Sequence, residues 1–474
     1  MMRNLAMLTD LYEFSMAGGF HRELPKTRGV FDIFYRNVPD HGSFVVAAGL
    51  AQVVDVLRDF HFDASDIAYL RGLKLYDDDF LAYLADFKLD CTVTAVAEGT
   101  PVFPREPLLT VEGPLDQVQL LETVLLNIVN HQSLIATKAR RITFAAAGRP
   151  VMEFGARRAQ GPDAAIYGTR AAIIGGAAST SNVLAAKAFG IPAAGTMAHS
   201  WVEAFPSELA AFRSWAKQYP DNAALLVDTY DVLASGVPNA IIVFKELLAA
   251  GHKPVGIRID SGDITKLAKL ARRQLDAAGL PDVKITASNA LDEYVIPALL
   301  AEGAPLDNFG IGEKLITSSS SPVLSGVYKL AATRTNGVLK PKIKVSASIE
   351  KTTLPGIKQT YRLYRPGSCE AFADVIALAD EQLTAPLAVV NSNPLTTHKR
   401  IVLTAFDAQP LSAPVPLDQP APSKVFAIQR FAKTKLAELP SETQRLVNPD
   451  TYTVYVTQQL ADLQQQLMDE AKRD

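Results

Sequence analysis

Six short polar clusters each close an apolar run from Glu153 onward: EFGARRAQG (153–161), GTMAHSW (195–201), VDTYD (227–231), IRIDSGD (257–263), ITASNALDE (285–293) and FGIGEKLIT (309–317). They hold arginines, carboxylates, a histidine, small hydroxyls and glycines, an inventory that suits a phosphorylated small substrate. In IRIDSGD, period-two alternation points Arg258 and Asp260 the same way, and Ser261 and Gly262 turn the chain toward a helix. Carboxylates there can bind ribose hydroxyls or Mg²⁺, and the arginine can clamp a carboxylate through two parallel N–H bonds. The plainer alternative makes Asp263 a cap for a helix from Ile264 and Arg258 half of a structural ion pair.

The other clusters carry the same kind of choice. Gly310 and Gly312, with Thr317 and Ser318 beyond, either bind phosphate through backbone N–H groups or simply mark a turn. Arg157 and Arg158 meet an anion or reach solvent, and a slightly negative chain favours an anion for one of them. His199 lies between Thr196 and Ser200, just beyond a strand pattern. The seven histidines show no H-E-x-x-H or Cys/His ligand spacing, so the sequence offers no catalytic zinc motif. Asp228, Thr229 and Asp231 line the same mouth or cap a helix.

Such clusters need a scaffold that brings strand ends together. Between Pro150 and about Leu330, strand patterns (PVMEF, IPAAGT, ALLVDT, PVGIRID, VKITAS, NFGIG, GVYKLA) alternate with helical ones such as 207–218, 263–279 and 292–303. Alternation of this kind predicts an α/β fold with a parallel sheet. The expected architecture is an irregular TIM-like (β/α) barrel over 131–345, whose catalytic groups sit at the C-terminal strand ends. An N-terminal α/β domain (1–130) precedes it, with strands at 31–39 and 43–50, helices at 51–60 and 78–87 and a β unit at 90–114. The longest helical stretch, 115–148, links the two, and a C-terminal extension (346–474) is expected to pack on the first domain.

Composition narrows the function. Apolar residues make up 48% of the 474 residues, enough for sizeable cores. A net charge of −3 gives no electrostatic reason to expect nucleic acid or an anionic membrane. Cys91 and Cys369 are far apart and form no metal-ligand spacing, as in a reducing compartment. Charges interrupt every long apolar run and the N-terminus shows no signal-peptide pattern, so a cytoplasmic protein is expected.

Taken together, the clusters resemble the nicotinate phosphoribosyltransferase family. The likeness runs from LTDLYEFSMA (8–17) through FYRNVPDHGSFVVAAGL, the six clusters and GVYKLA (326–331) to LPSETQRLVNPDTYTV (439–454). It implies formation of nicotinate mononucleotide and pyrophosphate from nicotinate and phosphoribosyl pyrophosphate, in NAD biosynthesis and salvage. ATP hydrolysis is coupled in the family through a phosphohistidine, a role that passes to His199. The resemblance implicates Tyr12 and Thr196 as nicotinate contacts, Arg258 as the carboxylate partner, and Arg157 with the GIGEKLIT loop as holders of the phosphoribosyl and pyrophosphate groups. Ser200, Ser261, Gly262, Asn289, Gly310, Gly312 and Thr317 complete the expected binding set, and Asp260 is the expected carboxylate beside Mg²⁺. Family members are dimers with a shared site, so a homodimer is expected. Two departures stand out: Ala290 where an acidic residue is common, and Glu313 where many members have threonine. Nicotinamide and quinolinate phosphoribosyltransferases, a silent nucleotide-binding barrel and a Schiff-base aldolase are the competing readings. The aldolase would want a strand-end lysine, and only Lys314 comes near.

Overall fold

Short apolar runs bounded by turn residues become, in the computed structural model, a six-stranded parallel sheet. Its order is Ser179–Thr180, Val151–Glu153, Asn308–Ile311, Lys284–Asn289, Gly256–Ile259, Ala224–Leu226. The structure describes residues 4–396, 399–419 and 424–473. The chain divides into two compact units, one of residues 135–322, which holds this sheet, and one of residues 1–134 with 323–474.

One face of the central strands is fully buried, with Ile257, Ile259, Ile285, Ala287, Phe309 and Ile311 all at 1% exposure or less, whereas Arg258, Thr286 and Asn308 on the other face are partly exposed. Amphipathic helices cover them, among them Ile264–Ala277, which buries Ala268, Ala271 and Leu275. The stretch Val232–Ala249 is long and apolar enough to pass for a membrane span, with mean hydropathy 1.5 over 18 residues. Its helical part buries Val237, Ala240, Val243, Phe244 and Leu247, and Glu246 on it pairs with Arg213 at 2.6 Å. Packing accounts for part of the apolarity, since Ile242 and Leu248 on the same helix are 40% and 50% exposed.

The architecture is mixed α/β with a curled half-barrel. Among the described residues the two edge strands, Ser179–Thr180 and Ala224–Leu226, do not pair with each other. IPAAGT, expected as a strand, contributes a single bridge between Ala193 and Thr180. GVYKLA, expected to belong to the barrel, instead pairs antiparallel with Thr27–Phe34. Its side chains explain the choice: Tyr328 stacks on Phe31 at 4.5 Å between ring centroids, and both are buried.

The other unit contains two larger sheets. One is antiparallel, ordered Val338–Pro341, Val327–Thr335, Thr27–Phe34, Leu109–Pro114, Thr92–Val96, Ser412–Val415, so a C-terminal strand completes an N-terminal sheet. The second holds the fully buried pair Arg362 and Asp374, joined at 2.8 Å, with the Tyr452 hydroxyl donating to Asp374 at 3.0 Å. Arg362→Met would leave that carboxylate buried and unpaired. It is expected to destabilise this unit by about 3–5 kcal/mol, read as a fall in the denaturation midpoint.

Candidate active site

All six parallel strands point their C-terminal ends the same way, and the loops beyond them enclose a cavity of about 380 Å³. Both sheet edges reach it, through Ser181 and Thr196 on one side and Leu226 on the other, which is what the curl accomplishes.

Arg258 is the hub. Its Nε donates to Ser288 Oγ at 2.8 Å, Nη1 to Thr196 Oγ1 at 2.9 Å and Nη2 to Asp260 Oδ1 at 2.8 Å. A guanidinium has five N–H donors, so one hydrogen on each terminal nitrogen is left over for a ligand. Its carbon lies 5.8 Å from the centroid of the Phe154 ring. The side chain is only 13% exposed, so an anion meeting it is largely desolvated.

Asp260 sits at the same junction. Burial pushes its carboxyl up, but hydrogen bonds from Ser288 and Arg258, then the charges of Arg258 and His199, outweigh it and hold the group below the usual carboxylate range. Its backbone N–H donates to Asp228 Oδ2 at 3.1 Å, and Ser261 Oγ donates to the same oxygen at 2.5 Å. His199 opens the short helix His199–Glu203. Its Nδ1 is 3.2 Å from Thr229 Oγ1 and its Nε2 is 3.8 Å from Asp260 Oδ2.

Thr196, His199, Arg157, Arg258, Asp260, Asn289, Gly310 and Gly312 all line the cavity. Arg158 turns to Glu313 at 3.6 Å, whereas Arg157 has no hydrogen bond or ion pair among the described residues. Asn289 adopts φ 90° at its strand end, a conformation that asparagine tolerates better than most residues. Ser261 and Gly262 shape the turn after Arg258, with Gly262 at φ 80°, and do not line the cavity. Ser200 is exposed outside the cavity lining, and the Thr317 hydroxyl is turned back to the Glu313 carbonyl at 2.7 Å. Tyr12 belongs to the other unit, where it is 45% exposed on the first turn of the helix Leu11–Glu23. Asp231 and Asp263 cap helices, Asp263 accepting from Lys266 N–H at 3.0 Å.

Phe154, Ser288 and Glu153 were not among the candidate site residues read from the sequence. Phe154 could have been found as an aromatic closing a buried strand directly before a glycine. Its ring lies over Gly310, where an added Cβ would come within 2.6 Å of it. Gly310→Ala should therefore displace the ring and lower kcat/KM by roughly tenfold, with little change in thermal midpoint; steady-state kinetics beside a melting curve check it.

Fold and site together define a half-barrel α/β enzyme with a small-molecule cavity at the C-terminal ends of its strands. The chain belongs to the nicotinate phosphoribosyltransferase family: models of its N-terminal domain, main family region and C-terminal domain match residues 7–130, 150–375 and 357–464. Nicotinate phosphoribosyltransferase of Bacillus subtilis is 40% identical over 458 residues, covering 95% of this chain and 92% of that protein. A Mycobacterium tuberculosis relative of the same name is 46% identical over 364 residues, 76% of each chain. The crystal structure of human nicotinic acid phosphoribosyltransferase superposes with a TM-score of 0.84 at 32% identity, covering 97% of this chain and 99% of that one.

Proposed function

We propose that this chain joins nicotinate to the phosphoribosyl group of phosphoribosyl pyrophosphate, giving nicotinate mononucleotide and pyrophosphate for NAD biosynthesis and salvage, with ATP hydrolysis coupled through a phosphohistidine at His199. The observation that carries the reading is the pair of N–H donors left on Arg258 beside the Phe154 ring. They suit the two oxygens of a carboxylate on a flat ring, and the relatives bear the name of that activity.

The pyridine nitrogen attacks C1 of the ribose as the C1–oxygen bond to pyrophosphate breaks, through an oxocarbenium-like transition state. The protein's work is to hold the nucleophile in line and to stabilise the departing charge. Arg157, which has no hydrogen bond or ion pair among the described residues, and the backbone beside Gly310 and Gly312 serve the phosphates. Among the described residues no group of three or more His, Cys, Asp or Glu could hold a metal unaided. Mg²⁺ carried mainly by substrate phosphates, with Asp260 as a supporting ligand, fits that donor set. Bound there, Mg²⁺ would neutralise leaving-group charge. Asp260 Oδ2, the oxygen that Arg258 and Ser288 do not use, is the one available.

Thr229 orients the His199 ring through Nδ1, which leaves Nε2 to take the γ-phosphoryl group of ATP as the bond to ADP breaks. The ionised Asp260 beside the ring favours the resulting cationic imidazole. Leu8, Leu11, Tyr12 and Met16 make an exposed apolar stripe in the other unit, from 41% to 55% accessible. A second copy covering that stripe would form a homodimer in which Tyr12 serves the partner's cavity.

The test is incubation with phosphoribosyl pyrophosphate, Mg²⁺ and ATP, supplying nicotinate or nicotinamide separately and quantifying mononucleotide and ADP. Nicotinate mononucleotide with matching ADP is expected. Product from nicotinamide alone would overturn the substrate, and product without ADP would overturn the coupling.

A further inference from the structure

The strand Val151–Glu153 ends in a glutamate that is fully buried and is not part of the cavity wall. Its carboxylate accepts from three neutral donors: the Gly155 backbone N–H, Thr169 Oγ1 at 2.9 Å and Thr180 Oγ1 at 2.7 Å. Thr180 Oγ1 also accepts from Asn182 N–H at 2.9 Å, so its single hydrogen is directed at the carboxylate. Thr169 can share its hydrogen with the Ala165 carbonyl at 2.8 Å, and the charged oxygen is the stronger acceptor. A buried carboxylate needs such bonds, since leaving it unsatisfied would be costly.

Two of the donors lie on segments that border the cavity, and the third lies on the helix that follows the first of them. Gly155 belongs to the turn that presents Phe154 and Arg157, and the Arg158 N–H closes that turn on the Gly155 carbonyl at 2.7 Å. Thr180 precedes Ser181, a cavity residue whose N–H bonds the Glu153 carbonyl at 3.0 Å. Thr169 sits on the helix Pro162–Ile174 that follows the turn. The fit admits only glycine at 155: an added Cβ would come within 2.8 Å of Glu153 Oε1 and 2.5 Å of Ile316.

From this we infer that Glu153 is a positioning residue, which locks the 154–158 turn so that Phe154 and Arg157 are held at the spacing the two substrates require. The inference rests on the activity proposed above. Glu153 itself touches neither substrate and acts by tying two loop segments to the helix Pro162–Ile174, so its effect falls on substrate binding more than on the bond-breaking step. A well-placed first layer of side chains needs such a supporting layer.

The experiment combines amide hydrogen exchange with steady-state kinetics on Glu153→Gln and Glu153→Asp. In Glu153→Gln the hydroxyl donors lose a charged acceptor. Exchange at residues 154–158 and 180–182 should then rise by roughly tenfold, with remote segments unchanged. KM for nicotinate and for phosphoribosyl pyrophosphate should also rise about tenfold while kcat shifts less than about threefold. Glu153→Asp should recover part of both effects. Should Glu153→Gln fail to fold, Thr180→Val removes one donor at similar volume and should give the same pattern at smaller size. Unchanged exchange in the two segments, or raised exchange with unaltered KM, overturns the role. Absence of nicotinate mononucleotide formation by the unaltered protein would overturn the proposed activity instead, while the exchange data would still decide whether Glu153 braces the turn.

Discussion

Arg258→Ala loses most of its activity toward nicotinate: kcat/KM is expected to fall by about thirtyfold to several-thousandfold, the range for truncating one member of a desolvated charge pair at about 2–5 kcal/mol. Two losses combine. The ligand carboxylate forfeits the two spare N–H donors, and Asp260 forfeits the guanidinium that lies 2.8 Å away. With burial still raising the Asp260 carboxyl and the largest opposing charge removed, its pKa moves up from its depressed position. A group held below the usual range stays ionised down to lower pH, so releasing it makes Asp260 protonate earlier as pH falls. The acid limb of kcat/KM should therefore shift to higher pH in the variant. Arg258→Lys keeps a charge but not the planar fork and should recover little. Steady-state kinetics on nicotinate and nicotinamide decide the matter, and a nicotinate kcat/KM within threefold of the parent would remove Arg258 from carboxylate recognition.

The second large effect is expected at His199. His199→Ala should abolish nicotinate-stimulated ATP hydrolysis, by roughly a thousandfold or more, because the nucleophilic nitrogen itself is removed. Some uncoupled phosphoribosyl transfer should survive, since Arg258, Arg157 and the glycine turns are untouched. Acid-labile labelling of the protein from γ-labelled ATP should vanish with it. Thr229→Val, which leaves the imidazole but takes away the hydroxyl 3.2 Å from Nδ1, should give a milder loss of about tenfold. Stoichiometric ADP formation persisting in His199→Ala would refute the phosphohistidine.

Local pattern carried a good deal of this. A buried parallel strand is a short apolar run closed by turn residues, and both features lie within a few positions of one another. The clusters around Arg157, His199, Arg258, Asn289 and Gly310 could therefore be read from the chain alone, and the cavity gathers them. The same local information is ambiguous for carboxylates. Asp260 and Asp263 are three residues apart at one strand end, yet the first faces the cavity and the second caps a helix. Either role suits an aspartate after a strand, and only the direction of the turn at Gly262 separates them.

By itself the sequence determined the strand ends, the helices between them, the residue types at the mouth and the family they resemble. The tertiary structure decided which strands are neighbours and which side chains share a partner. GVYKLA has an apolar pattern that would suit either sheet, and the buried stack of Tyr328 on Phe31 sends it to the antiparallel one, about three hundred residues back along the chain. Arg258 reaches Thr196 across 62 positions, so the two donors it keeps for a ligand can be counted only once the sheet has curled. Glu153 and Phe154 show the same division: a glutamate closing an apolar strand looks like a solvated end until three separate segments fold their donors over it. Periodicity is a short-range signal, whereas hydrogen-bond satisfaction in a buried site is settled by groups distant in sequence that packing brings within about 3 Å.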